Sequence, residues 1–201
     1  DPQVLRAQYF ADAFSLPQIL ADRWTSRLSD ADLIAASFHA NDPPSLSLRV
    51  NSLRADRDAV LESLINAGCR ATVGTISGSI QLEHSPRLET LPGYHDGLWS
   101  VQDEAAMTAS ILLNPQPGET ILDLCAAPGG KTTHLAELSG DNATIVACDV
   151  ANGRLQRIRD NAARLQLTSI EPRTISKDGR NLPAGPFDAV LVDVPCSNTG
   201  V

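Results

Sequence analysis

Four aspartates, two cysteines and one lysine in the second half of the chain stand where side chains of a sheet edge could do chemistry. Asp123 closes the apolar run ILD, Asp149 follows IVAC, Asp178 follows TIS and Asp193 follows AVLV, each at or just past the end of a predicted strand. A carboxylate after the second strand of a nucleotide-binding sheet suits the hydroxyls of a ribose. After the first strand comes Cys125-Ala126-Ala127-Pro128-Gly129-Gly130-Lys131, a sharp turn that opens into a helix carrying Leu135, Ala136 and Leu138. A strand, a glycine turn and a helix start bring free backbone N–H groups and the positive end of a helix to the strand's carboxyl edge, where ligands of open α/β sheets bind. The last strand runs into Asp193-Val194-Pro195-Cys196. Pro195 ends it, and Cys196 is expected to project from the same edge. A thiolate there is a strong nucleophile once its pKa, about 8.5 when free, is lowered. Cys69 and Cys148 read instead as core.

Two nucleotide motifs compete for the turn. The phosphate loop G-x-x-x-x-G-K-[ST] is matched at Gly130, Lys131 and Thr132, but its first glycine would have to be Cys125. The dinucleotide pattern G-x-G-x-x-G is absent. The turn is therefore expected to take a ligand other than ATP.

The elements that must position these groups follow from periodicity. Residues 1–45 read as an N-terminal helical region, with Ser15 capping one helix (Leu16, Ile19, Leu20, Trp24) and Ser29 another (Leu33, Ile34, Phe38). Residues 46–100 read as a small α+β module. LSLRV alternates as a strand; Val60, Leu61, Leu64 and Ile65 form a helical stripe ending at Gly68; three short strands follow. Arg49, Asn51, Arg54 and Arg57 group positive charge here, either as a solvated edge or as RNA contacts. Ser100 and Asp103 have capping-box spacing before a helix that Pro115 and Pro117 end. From 101 to 201 strands alternate with helices, which predicts a parallel, doubly wound sheet with right-handed crossovers. The fold class is α/β.

At 201 residues, 42% apolar and 20% charged, the chain is long enough for a sizeable core. Its longest apolar run falls short of the ~18 residues of a membrane span, and no signal peptide is apparent, so neither a membrane partner nor secretion is expected. The four cysteines form no C-x-x-C pair; a metal site and a disulfide framework are not expected, and a reducing, cytoplasmic setting is. The net charge of −8 demands that any nucleic-acid surface be local.

DLCAAPGGKT, the strand-end Asp in ACD, DGRNLP and DVPCSNTG, in this order, resemble the Sun-type (ribosomal RNA small subunit methyltransferase B/F-like) RNA (cytosine-5) methyltransferases. SLPQILADRW, LSLRVNSL and GLWSVQDEAAM resemble the same family's N-terminal region. The resemblance implies a Rossmann-like domain, here with an incomplete parallel sheet, preceded by a small α+β RNA-binding module. It implies S-adenosyl-L-methionine as methyl donor and RNA, ribosomal or transfer, as substrate, with a monomer in the full-length form. By motif position residues 125–131 would form the methionine and nucleotide loop, Asp149 would take the ribose with Arg154 close by, and Asp178 would lie near the adenine. Asp193, with Lys131, would sit beside the donor and the target base.

The chemistry explains these residue types. C5 of cytosine is too poor a nucleophile to take a methyl group unaided. A thiolate adding at C6 makes an enamine whose C5 can attack, and an acid such as Asp193 near N3 would stabilise the adduct. In the family the P-C cysteine, here Cys196, assists product release, and the attacking cysteine lies in a later T-C motif that this chain does not reach. The chain is thus expected to be a fragment of a longer enzyme, holding the RNA-binding module and the first half of the catalytic domain, and inactive alone. Val194 and Asn198 stand where the family more often has Ala and Gly. Two other readings compete: an RNA-binding or assembly factor that keeps the donor pocket without turnover, and a DNA cytosine methyltransferase using Cys196 itself as nucleophile.

Overall fold

The computed structural model describes residues 2–42, 46–84 and 87–194. They form two compact units, one of residues 2–42 and the other of the described residues from 46 to 194.

The first unit is three helices: α1 (Pro2–Phe14), α2 (Gln18–Thr25) and α3 (Asp30–His39). Phe10, Leu16, Ala21 and Leu33 fill its core. Ser29 caps α3 by accepting from the Asp32 N–H. Ser15 does not cap α2, as the sequence suggested. It takes a left-handed φ of 53°, and Pro17 holds the cap position with its carbonyl accepting from Leu20 and Ala21. A proline there has no N–H of its own to satisfy, but it offers no side-chain acceptor to the first-turn N–H groups of α2.

The second unit begins with β1 (Leu46–Val50), α4 (Arg57–Asn66), β2 (Ala71–Val73), β3 (Ser79–Leu82) and β4 (Trp99–Val101). Its antiparallel sheet has the order β2-β3-β1-β4. Leu48, Val50, Ile80 and Leu82 pack with Val60 and Leu64 of α4 and with Trp99, which is fully buried. Burying the indole N–H requires an acceptor, and Trp99 Nε1 donates to the Pro92 carbonyl at 2.8 Å.

Then come α5 (Glu104–Leu113), β5 (Thr120–Asp123), α6 (Gly130–Leu138), β6 (Thr144–Asp149), α7 (Asn152–Leu165), β7 (Ile170–Thr174) and β8 (Ala189–Leu191). The α5 cap is Asp103, which accepts from the Ala105 N–H. Ser100 is not its partner in a capping box, because it lies in β4, paired opposite Arg49. The second sheet is parallel throughout, in the order β7-β6-β5-β8. Its first strand thus lies centrally between the second and the fourth, the arrangement of a Rossmann-like sheet. Helices α6 and α7 pack on one face, and the other is covered only in part, Val190 of β8 being 47% exposed. Ile121, Ile145 and Leu191 meet Leu135 and Leu165 on one side; Leu122, Val146 and Cys148 meet Ile175 on the other. Cys148 is core, as expected, and Cys69 packs against the core of the α+β portion.

Candidate functional site

All four parallel strands end at the same edge, and the glycine turn leaves β5 there. Gly129 has a φ of 106°, a conformation that glycine alone adopts without strain. The turn packs tightly on α7: a Cβ on Gly129 would lie 3.2 Å from Ile158 Cγ1 and 3.3 Å from its Cα.

Successive carbonyls of the turn already have partners. Arg154 Nη2 donates to Ala127 O at 3.0 Å, and Asn161 Nδ2 to Pro128 O at 3.3 Å. Gly129 O accepts from the Thr133 N–H and hydroxyl, both at 2.9 Å. Gly130 O accepts from Arg49 Nη1 at 2.8 Å. In a planar trans peptide the next residue's N–H points opposite to the carbonyl. Anchoring the carbonyls of 128, 129 and 130 therefore aims the N–H groups of Gly129, Gly130 and Lys131 as a set, at the positive end of α6.

The acids converge on this turn. Asp149 is the last residue of β6 and is 3% exposed; its Oδ1 accepts from the Ala151 N–H at 3.2 Å and faces Arg154 at 3.6 Å. Arg154 thus braces both the turn and the acid. Asp123, equally buried, accepts from the Thr132 hydroxyl at 2.6 Å. Burial pushes its carboxyl up to about 6, against the Thr132 hydroxyl and the charge of Lys131, with Asp193 and Asp149 adding to the rise. Lys131 Nζ donates to Asp193 Oδ2 at 2.7 Å, closing the edge between the turn and the end of β8. Cys125 sits among these groups. Burial, then Asp149, Asp123 and Asp193, push its thiol up, against the charge of Arg154.

Asp178 departs from the expectation of a strand-end acid. It lies in the turn beyond β7, on the exposed side, and its carboxylate is held by Arg180 at 2.5 Å. Hydrogen bonds from Arg180 and then Ser176 hold it down at about 2. Cys196 lies outside the described residues. Among the described residues no group of three or more His, Cys, Asp or Glu is arranged to hold a metal ion, and no helix is long and apolar enough to cross a membrane.

The donor set has a definite chemical preference. Asp123, Asp149 and Asp193 surround the glycine turn with negative charge, which opposes a triphosphate. Carboxylates suit a cationic group and sugar hydroxyls, and the aimed N–H groups suit a carboxylate.

Arg49 and Asn51, grouped with Arg54 and Arg57 by charge and polarity, are structural residues. Arg49 is 2% exposed and Asn51 fully buried, so neither meets RNA. Arg49 instead crosses to α6, where it pairs with Glu137 at 2.7 Å. Asn51 Nδ2 donates to Gly97 O and Leu165 O at 3.2 and 3.1 Å. Arg54 bonds the Gln166 side chain, and Arg57 pairs with Asp58 beside it. Half of the grouping, Arg49 and Asn51, is thus used inside the protein, while Arg54 and Arg57 stay at the surface.

Comparison with known proteins places this geometry. Residues 110–201 match the family model described as 16S rRNA methyltransferase RsmB/F, and residues 16–89 match an RsmF/B-like, ferredoxin-like domain. A Synechocystis protein described as "Probable ribosomal RNA small subunit methyltransferase B" is 39% identical over 94% of this chain and 43% of its own length. The ribosomal RNA small subunit methyltransferase B of Pseudomonas syringae is 42% identical over 80% of this chain and 36% of its own. The chain therefore spans about two fifths of the curated relatives it matches. Among solved structures, PH0851 superposes with a TM-score of 0.84 at 30% identity, covering 94% of this chain and 44% of that one. A methyltransferase homolog protein from Pyrococcus horikoshii gives 0.80 at 27% identity, covering 100% and 65%. The chain belongs to the Sun-type, RsmB/F-like family of ribosomal RNA small subunit methyltransferases.

Proposed function

We propose that the protein transfers a methyl group from S-adenosyl-L-methionine to C5 of a cytosine in ribosomal RNA, through a covalent cysteine–C6 adduct. The observation that carries the reading is the Lys131–Asp193 pair. It joins the glycine turn, where the donor would lie, to the strand end that runs into the P-C motif, where the base would lie. S-adenosylmethionine, when bound, supplies an electrophilic methyl group. The chain's own residues do the rest. The N–H groups of Gly129, Gly130 and Lys131, with the turn that Cys125, Ala126, Ala127 and Pro128 complete, would hold the amino-acid end. Asp149, braced by Arg154, would hold the ribose, and Asp178 would lie near the adenine.

Asp193 would hydrogen-bond the cytosine near N3, and Lys131 would orient that carboxyl. Cys196 would assist release of the methylated base, as its place in the P-C motif implies, with attack on C6 by a cysteine of a later T-C motif. In this reading residues 46–100 form the module beside a catalytic domain that starts near 101, and residues 1–45 a separate helical region. The protein would work as a monomer in the cytoplasm. The decisive experiment is tritiated methyl transfer to ribosomal RNA by the whole protein, followed by base-resolved mapping of the product. Label at C5 of cytosine, lost in Asp193→Ala, is expected. Label on a ring nitrogen or a ribose would refute the reaction, and donor binding without turnover would favour an assembly factor.

A further inference from the structure

Arg49 spends every N–H of its guanidinium on groups from β4 onward, and four of the five bonds reach α6. Nε and Nη2 fork onto Glu137 at 3.0 and 2.7 Å, Nη2 also meets the Thr133 hydroxyl at 3.0 Å, and Nη1 meets Gly130 O at 2.8 Å and the Gln102 side-chain oxygen. Five donors in a planar fork are what an arginine has to give. Residues 130, 133 and 137 lie on one stripe of a helix, at i, i+3 and i+7. Arg49 therefore clamps the first two turns of α6 along one side, beginning at the residue that follows the Gly129 turn.

The position of that clamp matters. The first turn of a helix has no preceding turn to hold it, and its N–H groups lack internal partners; left alone, it frays. Here the fraying end is the donor loop. Two further contacts tie the same portion of the chain to the end of α7: Asn51 reaches the Leu165 carbonyl, and Arg164 donates to Tyr94 O and Trp99 O at 2.9 Å while stacking on the Tyr94 ring at 4.4 Å. Gly97 must lack a side chain, because a Cβ there would collide with the Arg164 carbonyl.

Resting on the donor assignment above, we infer that Arg49 is a positioning residue for the methyl donor: the antiparallel portion of the chain sets donor affinity by holding the N-terminal turn of α6 in register. It touches neither donor nor base and acts through Gly130 and Thr133.

The test compares Arg49→Lys and the double variant Arg49→Met/Glu137→Met with the unaltered chain. Removing both buried charges together avoids stranding one of them, and such replacements are often neutral for stability, so the double variant keeps the test open should Arg49→Lys fail to fold. In the ligand-free state, amide exchange at residues 129–133 is expected to rise about tenfold or more while β5 keeps its protection. Titration with S-adenosylmethionine should show affinity lower by about tenfold, without a matching loss of melting temperature in the double variant. Unchanged exchange at 129–133 in a folded variant overturns the inference, and so does faster exchange with unchanged affinity. Should the unaltered chain take up no S-adenosylmethionine, the donor assignment falls, and with it the link to affinity; the exchange comparison then still decides whether Arg49 holds the turn.

Discussion

Lys131 Nζ and Asp193 Oδ2 lie 2.7 Å apart across 62 residues of sequence, one at the start of α6 and the other just past β8. The lysine is 19% exposed and the aspartate 55%. A pair so open to water contributes under about 1 kcal/mol to stability, so its value lies in orientation. Lys131→Met and Asp193→Asn, made in the whole protein, are expected to lower methyl transfer tenfold or more each, with melting temperatures within a few degrees of the parent. The double variant should be no worse than either single one, because residues acting as a unit are not additive. Independent, multiplicative losses would contradict a shared role.

Gly129→Ala should be costly in two ways. A φ of 106° is strained for any other residue, and the new methyl would press on Ile158 at 3.2 Å. A stability loss of about 1–3 kcal/mol is expected, together with weaker donor binding. Gly118→Ala is the control: its φ of 88° is also left-handed, but nothing lies within 4 Å of the added atom. It should lose stability without losing affinity. Equal affinity losses in both would show that the turn at Gly129 has no special part in binding.

Two buried groups give opposite pH slopes. Burial, helped by the charge of Arg49, holds the His134 imidazole down at about 3, from 6.5. Between those values the unfolded chain binds a proton that the folded chain refuses, so stability falls as pH falls, by about 1.4 kcal/mol per unit at most. Asp123, raised by burial to about 6, works the other way: its contribution is fully present below about pH 4 and is lost as pH rises through 6. His134→Gln should therefore gain on the parent as pH falls from 6.5, and Asp123→Asn should gain as pH rises from 4 to 6. Urea melts across pH 4 to 7 read both, and differences that do not change with pH would contradict these environments.

Much of the site could be read from the sequence for a physical reason. A glycine turn between an apolar strand and a helix, with acids at strand ends, is local information, and the parallel pairing followed from the alternation of strands and helices. What could not be read was burial of polar residues. LSLRV alternates as if Ser47 and Arg49 faced water, yet β1 is covered on both sides, by α4 and by α6. Likewise α6 is buried at six consecutive residues from Thr132 to Glu137, polar ones included. Periodicity reports one apolar face; it is silent where the second face is satisfied by ion pairs from a distant strand. Asp178 was misplaced for a related reason, since β7 ends at Thr174 and a turn follows before the acid. The capping box expected of Ser100 and Asp103 does not form, because Ser100, in β4, pairs with Arg49 and Asp103 itself is the cap.

The turn at residues 125–131 and the acid after β6 are expected to hold S-adenosylmethionine, which calorimetric titration of the chain reads out. S-adenosylmethionine should bind with 1:1 stoichiometry. Asp149→Ala should weaken it by more than tenfold, the loss of hydrogen bonds to a charged acceptor being worth roughly 1.5–3 kcal/mol, while ATP with magnesium should bind weakly or not at all. Tight ATP–magnesium binding, with no heat from S-adenosylmethionine and no effect of Asp149→Ala, would contradict the account.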